Sequence, residues 1–94
     1  MVVTVFLPQV LRASAGGAAR LEVDVTGAAT LDGVLDEIAL RHPALERRLR
    51  DERRALRRYV NFYVDGEECR ALGGSGAAVG EHAEIRVIPS VAGG

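Results

Sequence analysis

The sequence predicts a two-layer α+β domain, a small mixed sheet with one main helix on its apolar face. Three observations predict it. Apolar and polar residues alternate with a period of two over 2–7, 21–26, 60–64 and 84–88, the pattern of half-buried strands. Leu31, Val34, Leu35 and Ile38 recur at three- and four-residue spacing, as on one face of a helix. The length, 94 residues, suits one small domain. A chain of this size buries roughly 60% of its unfolded surface, enough for a core but hardly for an enclosed active site as well. Residues 1–89 are expected to form that domain and 90–94 a flexible tail.

In chain order, Val2 to Leu7 is the first strand, with Val3, Val5 and Leu7 on one face and Val2, Thr4 and Phe6 on the other. Pro8 has no N–H to offer a ladder and ends it. Ser14-Ala15-Gly16-Gly17 reads as a loop, and Leu21 to Thr26 returns as the second strand of a hairpin, with Leu21, Val23 and Val25 inward. Gly27 breaks that strand. Thr30 is the expected N-cap of a helix over Leu31–Arg41, and Asp32, Asp36 and Glu37 complement the exposed amides of its first turns. Gly33 permits close packing near the helix start. His42-Pro43 marks the helix end, and Ala44 to Leu49 adds a short helical turn. The charge of Arg50 to Arg57 predicts an exposed connection.

Tyr59 to Val64 is the third strand, with Val60, Phe62 and Val64 inward and Tyr59, Asn61 and Tyr63 outward. Asp65-Gly66 is a turn signal, followed by a short return strand over Glu67–Arg70. Gly73-Gly74-Ser75-Gly76 is a glycine-rich stretch without the spacing or the lysine of a phosphate loop. Glu84 to Ile88 is the last strand, closed by Pro89. Strand order stays open at this level. Val5, Val23, Leu35, Ile38, Phe62 and Val87 are the expected centre of the core.

Composition excludes several chemistries. All twelve basic residues are arginines, so a Schiff-base lysine and a Walker-type lysine are absent. One cysteine, Cys69, rules out an internal disulfide and a multi-cysteine metal site. Neither a basic region followed by an apolar core nor a run of about 20 apolar residues occurs, which predicts no secretory signal, no membrane span and a cytoplasmic location. The net charge of -1 argues against a general nucleic-acid binder. Charge is uneven, however. Residues 41–58 hold eight arginines and three acids, a net of +5, and the remainder holds four arginines and ten acids, a net of -6. That segment is either a solvated face or a surface for an acidic partner.

Few side chains point to chemistry. Cys69 lies beside Glu67 and Glu68, which disfavour a thiolate. His42 and His82 belong to no metal-ligand cluster, and Asp51-Glu52 reads as surface charge. The feature that stands out is Gly93-Gly94, after the last strand and a short run. Two glycines let a chain end enter a narrow cleft without a Cβ clash.

Beyond these residues, the chain resembles the ubiquitin-like sulfur-carrier family that includes ThiS and MoaD, and is most similar to its CysO type. The resemblance covers nearly the whole chain and rests on Val3-Thr4-Val5, Pro8, Val10-Leu11-Arg12, Val60-Asn61, Tyr63-Val64, Ile88-Pro89 and Val91-Ala92-Gly93-Gly94. It implies a β-grasp (ubiquitin-like) fold. It also implies that Gly94 is the sulfur-carrying terminus, with Val91, Ala92 and Gly93 as its guiding tail. A ubiquitin-activating-type adenylyltransferase and sulfurtransferase would use ATP to activate the Gly94 carboxylate, and sulfur would then replace the adenylate.

In the CysO-type route the thiocarboxylate feeds a pyridoxal-phosphate cysteine synthase, and a zinc metallopeptidase releases the cysteine. Related carriers serve molybdopterin, thiamin or thiosugar synthesis, so a MoaD-like, ThiS-like or shared carrier is the alternative. A ubiquitin-like interaction module without terminal chemistry is the non-carrier alternative. The resemblance implies no catalytic residue and no cofactor or metal bound by the carrier itself. In a β-grasp arrangement Phe6, Asn61, Tyr63, Arg86 and Ile88 form the outward sheet face for partner recognition, with Phe6 and Ile88 as apolar anchors and Arg86 as the polar orienting residue.

Overall fold

The structure, a computed structural model, describes residues 1–26 and 29–89. β1 (Val2–Phe6) and β2 (Arg20–Asp24) form the hairpin, with Val3 opposite Val23 and Phe6 opposite Arg20. The ladder ends four residues after Arg20, so the second strand is shorter than the alternation predicts, although Val25 stays buried. The segment between the strands is more structured than a loop. A single helical turn, α1 (Gln9–Arg12), runs into a 3-10 turn over Ala13–Ala15 and turns Leu11 and Ala15 into the core. Gly16 ends it at φ 66°, a left-handed conformation that suits a residue without Cβ.

After β3 (Ala29–Thr30), the main helix α2 spans Leu31–Arg41. Its Thr30 cap is as predicted, with Gly33 N donating to Thr30 Oγ1 at 3.2 Å. A Cβ built on Gly33 would lie 3.6 Å from that hydroxyl, an ordinary contact, so close packing does not explain this glycine. Leu31, Val34, Leu35 and Ile38 are buried against the sheet. His42 ends α2, and Pro43 opens α3 (Pro43–Leu49), where a missing N–H costs nothing. Leu45 and Leu49 extend the core.

β4 (Val60–Val64) buries Val60, Phe62 and Val64, and the Asp65-Gly66 turn leads to β5. β5 covers only Glu67–Glu68, not the run to Arg70, because a 3-10 turn over Cys69–Leu72 sends Cys69 into the core. β6 (Ala78–Val79) pairs with β3 as a second, two-stranded sheet. β7 (Glu84–Pro89) completes the main sheet, whose order is β2-β1-β7-β4-β5. β7 runs parallel to β1 and antiparallel to β4, so the sheet is mixed and its parallel pair is central. This is the β-grasp arrangement, with α2 held across one sheet face. Val5, Val23, Leu35, Ile38, Phe62 and Val87 all belong to its core.

The connection over Arg50–Arg57 departs from its expected exposure. Arg50 is buried, and its guanidinium reaches Glu46, Asp36 and Asp32 at 2.9, 2.9 and 3.4 Å. Asp32 and Asp36 therefore do more than complement helix amides; they bind α2 to the end of α3. Burial lowers the Arg50 pKa, but the hydrogen bonds it donates to Glu46 and Asp36 more than offset it, and the net shift is upward.

Candidate functional site

Strand directions decide where the predicted surface residues meet. β1 and β7 run the same way and β4 runs against them. The ends of β1 and β7 and the start of β4 therefore lie at one end of the sheet. Register does the rest. Phe6 is opposite Arg86, Arg86 is opposite Tyr63, and Ile88 is opposite Asn61. All five predicted residues thus share the face away from α2, because successive side chains alternate and Val5, Phe62, Ile85 and Val87 point inward. Phe6, Asn61 and Tyr63 are half-buried, while Arg86 and Ile88 are exposed.

The contacts within this face are specific. The Arg86 guanidinium lies 4.3 Å above the Phe6 ring centroid, within cation–π range. The guanidinium is exposed, and its one ion pair among the described residues is a long one, Nη2 to Glu84 Oε1 at 4.0 Å. Ile88 keeps 45% of its surface exposed. With Phe6, Pro8 and Pro89 it lines a shallow groove between the ends of β1 and β7. Asn61 is already engaged, since its side-chain oxygen accepts from Arg70 Nη1 at 2.9 Å.

Two members of this surface have no sequence signal of their own. Arg20 stands opposite Phe6, and Glu68 stands opposite Tyr63. The row Arg20–Phe6–Arg86–Tyr63–Glu68 therefore crosses all five strands, with a cation at one edge and a carboxylate at the other. Arg70 joins at the acidic edge, donating to Glu68 Oε1 at 2.6 Å.

Pro89 is the last described residue and pairs with Val60. Gly94, Gly93, Ala92 and Val91, the predicted reactive terminus and its tail, lie outside the described residues. Among the described residues, no group of three or more His, Cys, Asp or Glu side chains is placed to hold a metal. Cys69 is buried, and burial, followed by the nearby Glu68 charge, pushes its thiol pKa up, away from a nucleophilic thiolate. His82 is exposed beside Glu81. No helix of the described residues is long and apolar enough to cross a membrane.

The ThiS family profile matches residues 5–94. The sulfur carrier protein CysO of Mycobacterium tuberculosis is 34% identical over 96 residues, spanning 100% of both chains. A chain in the crystal structure of the Amycolatopsis orientalis BexX/CysO complex is 37% identical, with a TM-score of 0.82, covering 98% of this chain and 99% of that one. The crystal structure of SAMP1 from Haloferax volcanii is 31% identical with a TM-score of 0.84, covering 100% of each.

Proposed function

The chain belongs to the ThiS family of ubiquitin-like sulfur carriers, and from that membership we propose that its working group is the Gly94 carboxylate. The chain is a carrier and not itself an enzyme. The observation that carries the proposal is the family match, which extends through the last strand to residue 94. The chemistry follows from the group. A carboxylate oxygen attacks the α-phosphorus of ATP on an adenylyltransferase, and pyrophosphate leaves. The resulting acyl-adenylate is a mixed anhydride. Hydrosulfide-level sulfur adds to its carbonyl, AMP leaves, and a thiocarboxylate remains as the transferable sulfur. Gly93 and Gly94 suit entry into the partner's cleft, and Val91 and Ala92 guide them.

The outer sheet face is the docking surface in this reading. Phe6 and Ile88 seat the partner, stacked Arg86 orients it, and Asn61 and Tyr63 complete the contact. Likeness to the two CysO proteins favours a cytoplasmic cysteine route, with a pyridoxal-phosphate cysteine synthase as sulfur acceptor and a zinc metallopeptidase that releases the product. Those cofactors belong to the partners.

A second reading, covalent attachment to other proteins, is favoured by the 35% identity to small archaeal modifier protein 1 of Haloferax volcanii over 82 residues. The same activated Gly94 carbonyl can acylate an amine instead of sulfur. Intact mass after incubation with the adenylyltransferase, ATP and sulfide separates the two readings. Replacing oxygen by sulfur adds about 16 Da to the carrier, whereas modification moves it into high-mass conjugates. An unchanged mass with no conjugate overturns both.

A further inference from the structure

Residues 50–58 form an ordered loop that the carrier chemistry does not require. Arg50 and Leu56 make an isolated β-bridge, and Asp51 N donates to Ala55 O at 2.9 Å. Asp51 Oδ1 in turn accepts from Arg53 N at 2.8 Å and Ala55 N at 3.0 Å. Arg57 N donates to Leu49 O, and its Nε donates to Arg47 O at 2.8 Å, tying the loop to α3. Arg54 adopts φ 64°, a left-handed conformation that costs energy in a residue with a Cβ. Below the loop, buried Arg50 and its three carboxylates fix it to α2.

This framework holds like charges together. Arg47, Arg48, Arg53, Arg57 and Arg58 enter no ion pair among the described residues, whereas Arg50 and Arg54 are absorbed by carboxylates. Asp51 and Glu52 in the same loop offset part of this charge, and the segment keeps a net positive field that favours an outside anion. The position is equally telling. The loop runs through Arg58 and Tyr59 into Val60, which pairs with Pro89. The root of the tail is therefore flanked on the β1 side by the apolar groove and on the β4 side by the arginine loop.

Resting on the carrier reading above, we propose that this loop is a second docking element, which engages an acidic protein surface beside the cleft of the partner that takes the tail. It accelerates and orients the encounter, while the apolar groove retains the bound carrier. Charge favours a protein over a nucleic acid. The patch is small, Tyr59 is the one aromatic within it, and the rest of the chain carries a net of -6, which repels an extended polyanion.

The test is stopped-flow association with the ubiquitin-activating-type adenylyltransferase of the same organism. Arg47→Gln, Arg53→Gln and Arg58→Gln are combined, because none of these side chains makes a hydrogen bond or ion pair among the described residues; an unchanged melting curve checks that the loop stays folded. The association rate should fall about tenfold at low ionic strength, meet that of the unsubstituted chain at high salt, and leave the dissociation rate unchanged. The matching Arg→Lys triple variant should retain fast association. A rate within about twofold of the unsubstituted chain at low salt overturns the proposal. So does a single-stranded DNA oligonucleotide that binds the unsubstituted chain but not the Gln variant while the enzyme rate stays constant. Pyrophosphate release distinguishes the two levels of failure. An unsubstituted chain that supports none overturns the carrier reading and this proposal with it. Normal release together with unchanged association overturns the docking loop alone.

Discussion

Arg50 Nη2 donates to Asp36 Oδ1 at 2.9 Å from a side chain that is only 1% exposed, while the aspartate is 47% exposed. The pair joins the end of α3 to the middle of α2. It is asymmetric, a buried cation met by carboxylates that still touch water. Burying a guanidinium is costly, and the carboxylates of Glu46, Asp36 and Asp32 around it offset that cost.

Arg50→Ala should therefore destabilise the domain. Removing one partner of a fully buried pair costs roughly 3–5 kcal/mol. Here the stranded carboxylates can rehydrate, which reduces the loss to about 2 kcal/mol. Urea unfolding measures it. A loss below about 0.5 kcal/mol would mean that the cluster is no more than surface charge.

Arg50 also shows where reading from sequence stops. Among eight arginines in residues 41–58, nothing local singles it out, since Glu46 stands four positions before it as Glu37 does before Arg41. Its other partners come from α2, and only the folded packing brings them near. Period-two alternation, by contrast, reveals the inward faces of β1, β4 and β7 directly, and with them most of the core. It also places Phe6, Tyr63, Arg86 and Ile88 on the outward face. It cannot reveal that Thr4 to Phe6 lie beside Glu84 to Arg86, so Arg20 and Glu68 go unnoticed as members of the same row. β3 and β6, of two residues each, are too short to show any period.

Phe62 has no exposed surface at the centre of β4. Phe62→Ala should cost about 3–5 kcal/mol, from lost burial and the cavity left behind. The same unfolding experiment tests it, and a near-zero change would remove Phe62 from the core.

Acid should loosen the arginine loop late. Hydrogen bonds from Ala55 N and Arg53 N, helped by the Arg57 and Arg53 charges and opposed by burial, hold the Asp51 carboxyl below its ordinary 3.8. A depressed folded pKa means that this contribution is present above the unfolded value and is lost as pH falls through the folded one. The Arg53 and Ala55 amide resonances should therefore titrate with a midpoint below 3.8, and Asp51→Asn should abolish that step. A midpoint at or above the ordinary value would contradict the hydrogen-bonded loop.

Docking should separate from folding on the outer face. Ile88→Ala removes a side chain that is 45% exposed, so stability should change by less than about 0.5 kcal/mol. Binding to the adenylyltransferase should weaken by roughly 1–2 kcal/mol, chiefly through faster dissociation. Phe6→Ala should weaken binding further, since it also frees Arg86 from its stacked position. Unchanged affinity in both variants would place the partner elsewhere.

The last prediction joins the tail to the reaction. If the Gly94 carboxylate is the reacting group, its position relative to the docked domain matters more than any contact it makes within the fold. Deleting Gly94 should leave unfolding unchanged, because few core contacts depend on a final residue. It should nevertheless abolish adenylate and thiocarboxylate formation, because the new carboxylate stands one residue short of the reacting position. One residue added after Gly94 overshoots that position and should fail although the carrier still docks. Gly93→Val keeps the length and adds a branched side chain where the cleft must be narrow, so activation should drop while the outer-face contact survives. Intact mass and partner affinity, measured together for the four chains, separate reaction from docking. Equal sulfur uptake by all of them under matched activation would show that the position of the terminus is not what the partner reads.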